Sequence, residues 1–345
     1  MPAMFFRRQS RHRVQDCDRV QQFRGRVDFM RQQTITVLGT LLLLCWSGNG
    51  SNADEPVANQ QIRGAYGGSE IVITTTRRLA GAIDSLKWNG VEFIDSHDHG
   101  RQLQSACSFD ASAGGQFVAE CFNPTEAGCR NDRDGDTSTS RLLRMQAQGA
   151  ALDSTVQMAF WLAPGQQSGG RDAINRSRLS EHRVRKQIQI GYRQFPNVID
   201  YRVTFSVPDT ERHTYAQFEA LTGYMPSQFS RFETIHPDDG VLQAIDDGPG
   251  EQSLPLIFST ADGAHAMGIW SPDQPSSGYR HAGYGRFRFA AAGVVKWNCV
   301  FRVRNPDGVR SGDYSFQQFV IVGDRAAVRD TMTALAADVQ KTPAE

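Results

Sequence analysis

Two dense runs of chemically capable side chains stand between Asp95 and Gly128: Asp95-Ser-His-Asp-His-Gly-Arg-Gln-Leu-Gln104 and Glu120-Cys-Phe-Asn-Pro-Thr-Glu-Ala-Gly128. Polar and ionisable residues bunched beside Gly and Pro usually occupy strand ends and loops, where side chains converge on a cleft. Proton transfer at carbon or oxygen needs an acid and a base with suitably tuned pKa values. The catalytic candidates are therefore His99, Arg101, Glu120, Glu126 and, farther along, Tyr224, with His97 as a further acid or base. Gln104 and Asn123 would orient a hydroxyl or carboxylate, and the two-pronged guanidinium of Arg101 matches a carboxylate.

Three later segments add candidate contacts. Glu219 and Tyr224 punctuate the strand-like stretch from Tyr215 to Pro226. The alternative there is a plain strand with an amphipathic Tyr at its edge. Trp270, Tyr279, His281 and Arg286 lie in or beside Gly-rich loops, a composition that suits a platform stacking on the apolar face of a pyranose; a surface loop closing over the core is the competing expectation. His97 and His99 would share one side of a strand, but no third metal ligand is identifiable. Asp132-Arg-Asp-Gly-Asp136 resembles an oxygen-rich calcium loop, yet its Gly comes early and Leu143 stands where a bidentate Glu would close it. A solvated acidic turn is expected, no cofactor or metal site is assigned, and calcium is kept as the alternative. There is no Gly-x-Ser-x-Gly elbow, P-loop or dinucleotide fingerprint, which argues against serine hydrolase, nucleotide-dependent and redox-cofactor chemistry.

The N-terminus sets the expected compartment. Arg31 precedes an uncharged apolar run from Ile35 to Trp46, and small polar residues follow as far as Ala53. A run of about 12 residues fits a signal peptide and is too short to span a bilayer. Residues 1–53 are read as an N-terminal extension and secretory signal peptide, cleaved after Ala53, with Met30 as the alternative translation start, and the protein is expected to be secreted or periplasmic. That stretch holds eight Arg and three Asp, a net of +5 against zero for the whole chain, so residues 54–345 carry about −5. Such a balance disfavours nucleic acid and anionic membranes as partners. No membrane span is expected after cleavage. Four cysteines remain, Cys107, Cys121, Cys129 and Cys299, with three complete disulfide pairings open; Cys121 with Cys129 would close a short loop around Asn123 to Glu126, whereas Cys299 suits a buried thiol.

The elements that must position these residues are mostly strands. Ile199, Tyr201, Val203, Phe205 and Val207 alternate with Asp200, Arg202, Thr204 and Ser206; Val295, Trp297, Cys299, Phe301 and Val303 alternate with Lys296, Asn298 and Arg302. Shorter strands are expected near Glu70 to Thr76, Val156 to Leu162, Leu254 to Thr260 and Ala266 to Trp270, and Asn89-Gly90 has the chemistry of a hairpin turn. One helix is predicted over Arg325 to Val339, capped by Asp324. Residues 54–345 read as one mainly β domain, an antiparallel β-supersandwich with a C-terminal helix.

The stretch Ile71-Val-Ile-Thr-Thr-Thr-Arg-Arg-Leu-Ala-Gly-Ala-Ile-Asp-Ser-Leu-Lys-Trp-Asn-Gly-Val-Glu-Phe-Ile94, leading to Asp98-His-Gly-Arg101, resembles the opening of galactose mutarotase-like β-supersandwich proteins. The resemblance continues to Tyr314-Ser-Phe-Gln-Gln-Phe-Val-Ile-Val-Gly323. It implies carbohydrate as substrate or ligand. The expectation is acid/base chemistry on a sugar or polysaccharide, lyase-like first, with an aldose 1-epimerase-like mutarotase or a non-catalytic glycan-binding protein as alternatives.

Overall fold

Alternating burial organises the chain into two stacked antiparallel sheets. The computed structural model describes residues 57–110, 115–209 and 212–341; the expected signal peptide lies outside them. In the first sheet the order is Gly250–Gln252, Tyr284–Phe289, Val294–Arg304, Tyr215–Pro226 and Leu103–Phe109. A single pairing, Ile83 with Leu103, continues it into Ile83–Trp88, Ser69–Thr75 and Gln61–Tyr66. The second sheet runs Arg141–Gln148, Ala151–Phe160, Leu179–Tyr192, Phe195–Val207, Gly312–Gly323, Ala266–Trp270, Leu256–Ser259, Arg231–His236 and Val241–Ala244. The two residues Pro124–Thr125 bridge the sheets, pairing with Leu103–Phe109 on one side and Ala151–Phe160 on the other.

Aromatic residues knit the facing layers. Phe218 of the first sheet meets Phe205 and Phe316 of the second at 5.1 and 5.3 Å, and Phe301 stacks on Phe316 at 4.3 Å. The predicted apolar faces are the observed ones: Ile199, Tyr201, Val203, Phe205, Val295, Trp297, Cys299 and Phe301 are all buried between the sheets. The Asn89-Gly90 turn forms with both residues at positive φ, 49° and 77°. The C-terminal helix runs Arg325–Lys341, its first turn capped by the Asp324 carboxylate accepting from the Ala327 N–H at 2.8 Å. It lays Val328, Met332 and Leu335 over the outer face of the second sheet, against Val198, Ile257 and Phe319.

A polar chain crosses the otherwise apolar interior. Glu126 and Lys186 are each 0% exposed and form an ion pair between the bridge segment and the second sheet. The other Glu126 oxygen accepts from the Ser105 N–H at 3.0 Å in the first sheet, and the Ser105 hydroxyl donates to the Ala220 carbonyl at 2.8 Å. Glu126 thus has a structural partner on each layer, and the expected catalytic placement is corrected: its carboxylate points into the core, away from any opening. The disulfide expectation is corrected too, since Cys107, Cys121 and Cys129 are buried and unpaired, whereas Cys299 is the buried thiol expected of it. Among the described residues no helix is long and apolar enough to cross a membrane.

Removing one member of a buried pair strands the other's charge. Lys186→Met or Glu126→Leu alone is expected to cost about 3–5 kcal/mol, whereas the double substitution should cost clearly less than the sum of the two. Urea denaturation of the three variants beside the native protein measures the coupling; additive losses would show that the pair does not act as a unit.

Candidate functional site

The polar face of the first sheet forms a cleft of about 610 Å³. Its floor is built in cross-strand rows. Ser108, Gln217 and Arg302 are in register; so are Ala106, Glu219 and Val300; so are Gln104, Thr222 and Asn298; and Tyr224, Lys296 and Phe287 complete the set. Side chains at alternate positions of adjacent strands therefore converge from four strands onto one surface.

The strand Tyr215–Pro226 reaches this arrangement only through a β-bulge. The register shifts between Glu219 and Leu221 against Val294–Arg304 and between Glu219 and Thr222 against Leu103–Phe109, so Ala220 and Leu221 both turn to the core. Gln217, Glu219, Thr222 and Tyr224 consequently all line the cleft, which strict alternation would not allow. Gly223 completes the fit: a Cβ there would stand 2.4 Å from the buried Trp297 ring.

Electrostatically, the floor centres on Glu219 and Lys296, paired at 3.3 Å with side chains 20% and 14% exposed. Burial alone would raise the Glu219 carboxyl, but the Lys296 charge and hydrogen bonds from Thr222 and Asn298 outweigh it and hold the group below its ordinary range. Burial pulls Lys296 down, and Glu219 and Tyr224 more than reverse this, so the ammonium is held well above its usual value. Lys296 Nζ also lies 5.2 Å from the Tyr224 ring centre and 5.3 Å from that of Phe287. At the far end Arg302 is clamped by both oxygens of Glu251, at 2.7 and 2.8 Å. Glu120, at positive φ (73°), accepts from the Ser168 hydroxyl at 2.8 Å on another wall, and Trp161, Phe287 and Phe289 supply aromatic surface.

Of the residues expected from sequence, Gln104, Glu120, Asn123, Glu219 and Tyr224 line this cleft. Gln104 and Asn123 are partly committed, donating to the Gly100 carbonyl (3.0 Å) and the Cys107 carbonyl (2.7 Å). The others lie elsewhere. His99 is 1% exposed, with both ring nitrogens against main-chain carbonyls, Nδ1 2.6 Å from Arg133 O and Nε2 2.8 Å from Arg78 O. Arg101 pairs with Asp98 at 3.2 Å and faces Asp95 at 3.9 Å in a separate, smaller cavity. Trp270 is buried beneath the helix layer and stacks on Phe319 at 5.6 Å. Tyr279 sits at the cleft's edge with the Arg302 guanidinium 5.5 Å over its ring, while His281 is exposed beside Arg280. Arg286 faces the opposite side of its strand, bound to Asp246 and Gln252. Asp132 spends both oxygens on Cys129 and Thr139, an internal cap for its turn. No group of three potential metal ligands occurs among the described residues.

Lys296, Asn298 and Arg302 went unassigned in the sequence, although they form the polar face of a strand whose alternation is plain. A Lys and an Arg on one strand face read as a solvated surface until the neighbouring carboxylates are known.

No family model matches this sequence, and no curated protein sequence matches it. Solved structures resemble it in fold. They include an α-mannosidase from Enterococcus faecalis V583 (TM-score 0.45, 11% identity, covering 78% of this chain and 30% of that one). A galactose mutarotase-like protein from Lactobacillus casei ATCC 334 (0.42, 8%, 76% and 100%) and an α-galactosidase from Lactobacillus brevis (0.40, 9%, 79% and 40%) are others. The chain spans well under half of the two glycosidases. At these scores the likeness assigns no chemistry to any residue.

The Glu219–Lys296 pair gives a pH test. A depressed carboxyl contributes stability that is present above the unfolded value near 4.5 and is lost as pH falls through the folded one. A raised ammonium contributes below its unfolded 10.5 and fades as pH rises through the folded value. Lys296→Met leaves burial in force and removes the main lowering charge, so the Glu219 carboxyl is expected to titrate above 4.5. Carbonyl ¹³C NMR titration reads it, and an unchanged, low titration would mean that Thr222 and Asn298 alone hold the charge.

Proposed function

We propose that this protein binds carbohydrate in the cleft and performs acid/base chemistry on it. The observation that carries the reading is the convergence of amide, hydroxyl and carboxylate groups from four strands beside Trp161 and Phe287. Such a surface bonds the hydroxyls of a sugar while its aromatic faces cover the CH face, and the cavity has the size of a small-molecule site.

Glu219 is the base in this reading, kept ionised by Lys296, and Tyr224, packed against the same ammonium, is the proton donor. On a free aldose the base would take the anomeric hydroxyl proton while the donor protonates the ring oxygen, opening the ring; reclosure on the other face returns both protons. Both cleft cations are already matched by carboxylates, Lys296 by Glu219 and Arg302 by Glu251. This favours a neutral sugar at the reacting position over the lyase-type elimination, which would need a free cation to quiet a uronate there.

Glu219→Gln is expected to lower the rate by about 10²–10⁴-fold with the fold intact. The assay is anomer exchange followed by NMR on free aldoses, with ultraviolet absorbance of unsaturated products and new reducing ends followed on polysaccharides. Binding without turnover in any assay would make the protein a glycan binder, and product absorbance would restore the lyase.

We also propose export, on the strength of Arg31 followed by the apolar run Ile35 to Trp46. N-terminal sequencing of the protein from its own cells should find Asp54 first; a cytoplasmic chain retaining Ile35 to Trp46 would refute this.

A further inference from the structure

The Asp95–Arg101 run, dense in ionisable groups, gives the cleft only Gly100, yet it builds a second cavity of about 330 Å³ next door. The two cavities share one wall, Trp161. Gly100 makes the shared wall possible, since a Cβ there would lie 2.7 Å from the tip of the Trp161 ring. Around the second cavity stand Arg101, Arg130 and Arg133. Asp98 is occupied by Arg101 and by the Gly100 N–H, which leaves Asp134 as the remaining carboxylate against two exposed arginines.

Arg133 is the informative residue. Its backbone has φ 50° and ψ −126°, a conformation that glycine adopts freely and residues with a side chain adopt only at a cost. The buried His99 holds it there: the His99 N–H donates to the Arg133 carbonyl at 2.8 Å, and the ring Nδ1 lies 2.6 Å from the same oxygen. Nothing in the backbone geometry calls for an arginine, so the reason for one lies in its side chain. That side chain is exposed and has no ion-pair partner among the described residues, and Arg130 reaches only the Gln167 carbonyl, at 3.4 Å.

We infer that this pocket is an anion subsite of the cleft, taking the carboxylate or sulfate of an acidic sugar unit whose neutral neighbour lies across Trp161 in the main cavity. The inference rests on the carbohydrate reading and extends it: the ligand is an oligosaccharide of at least two units, one of them acidic. His99 acts as a positioning residue for Arg133.

The test is calorimetric binding of the full chain to neutral gluco-, galacto- and manno-oligosaccharides, and to uronate-bearing and sulfated oligosaccharides of the same length, at low and high salt. An acidic member is expected to bind about fivefold or more tighter than its neutral counterpart, the preference fading with salt. Arg133→Gly and Arg130→Ala should each erode that preference and leave neutral affinity unchanged. Arg133→Gly should also raise the melting temperature, because it relieves the backbone; this separates loss of charge from loss of fold. The uronate and sulfate arms tell which oxyanion is read. Equal binding of neutral and acidic members, or a preference that survives both substitutions, overturns the subsite while leaving the carbohydrate reading standing. Binding of no oligosaccharide overturns both.

Discussion

The buried chain from Lys186 through Glu126 and Ser105 to the Ala220 carbonyl is the constraint on which the cleft depends. Ala220 is the bulge residue of the strand Tyr215–Pro226, and the extra residue leaves its backbone without regular ladder partners. The Ser105 hydroxyl supplies a bond at that point, and the Ser105 N–H is in turn anchored by a carboxylate whose charge is balanced from the opposite sheet. Without the bulge, Leu221 and Gly223 would follow Glu219 on the cleft face, and Thr222 and Tyr224 would turn inward. A buried ion pair is weak evidence for net stability. Here it spans both sheets at the one point where strand register must break, so its plainest consequence is geometric.

The cleft floor follows from that register. Each cation faces a carboxylate from another strand, Lys296 with Glu219 and Arg302 with Glu251. The surface therefore offers many fixed hydrogen-bonding groups with little uncompensated charge. A hydroxyl-rich ligand can exchange its water for such a surface without stranding an ion, whereas a charged ligand would have to displace an existing partner. Preorganisation is built in, since Thr222, Asn298 and Lys296 all hold the Glu219 carboxylate before anything binds.

Fold class was legible because alternation is a direct record of which face is buried, and Val295 to Phe301 and Ile199 to Phe205 carry it clearly. The helix was legible from its period and from Asp324. Half of the site was not, for two physical reasons. A bulge changes the parity of a strand without leaving a mark in composition, so although Glu219 and Tyr224 were both candidates, their spacing of five gave no sign that they share a face with Gln217 and Thr222. And dense polar runs have a second origin besides catalysis: loops buried against a core need side chains to satisfy their main-chain groups. Glu126 serves the Ser105 N–H, His99 faces the Arg78 and Arg133 carbonyls, and Asp132 serves Cys129 and Thr139. Polar density marked where backbone needed partners, while the cleft's own cations, Lys296 and Arg302, were spread thinly at alternate positions of a strand.

The loop around His99 shows how the same residues can serve structure and site together. Gly128 lies beside it with φ 133°, and a Cβ there would come within 2.5 Å of Asp132 and 2.9 Å of the His99 ring. Where space and backbone conformation alone decide, the loop carries glycine. Five residues on, the backbone again takes a glycine-like conformation, but the residue is an arginine facing an open cavity beside Trp161. The two positions differ in what a side chain would meet: packed neighbours at 128, an opening at 133. A strained backbone persists only where its surroundings over-determine it, and His99, fixed between two carbonyls, is the group that does so. The histidine that the sequence marks as a catalyst is buried, and what it fixes is the backbone that carries Arg133 to the second cavity.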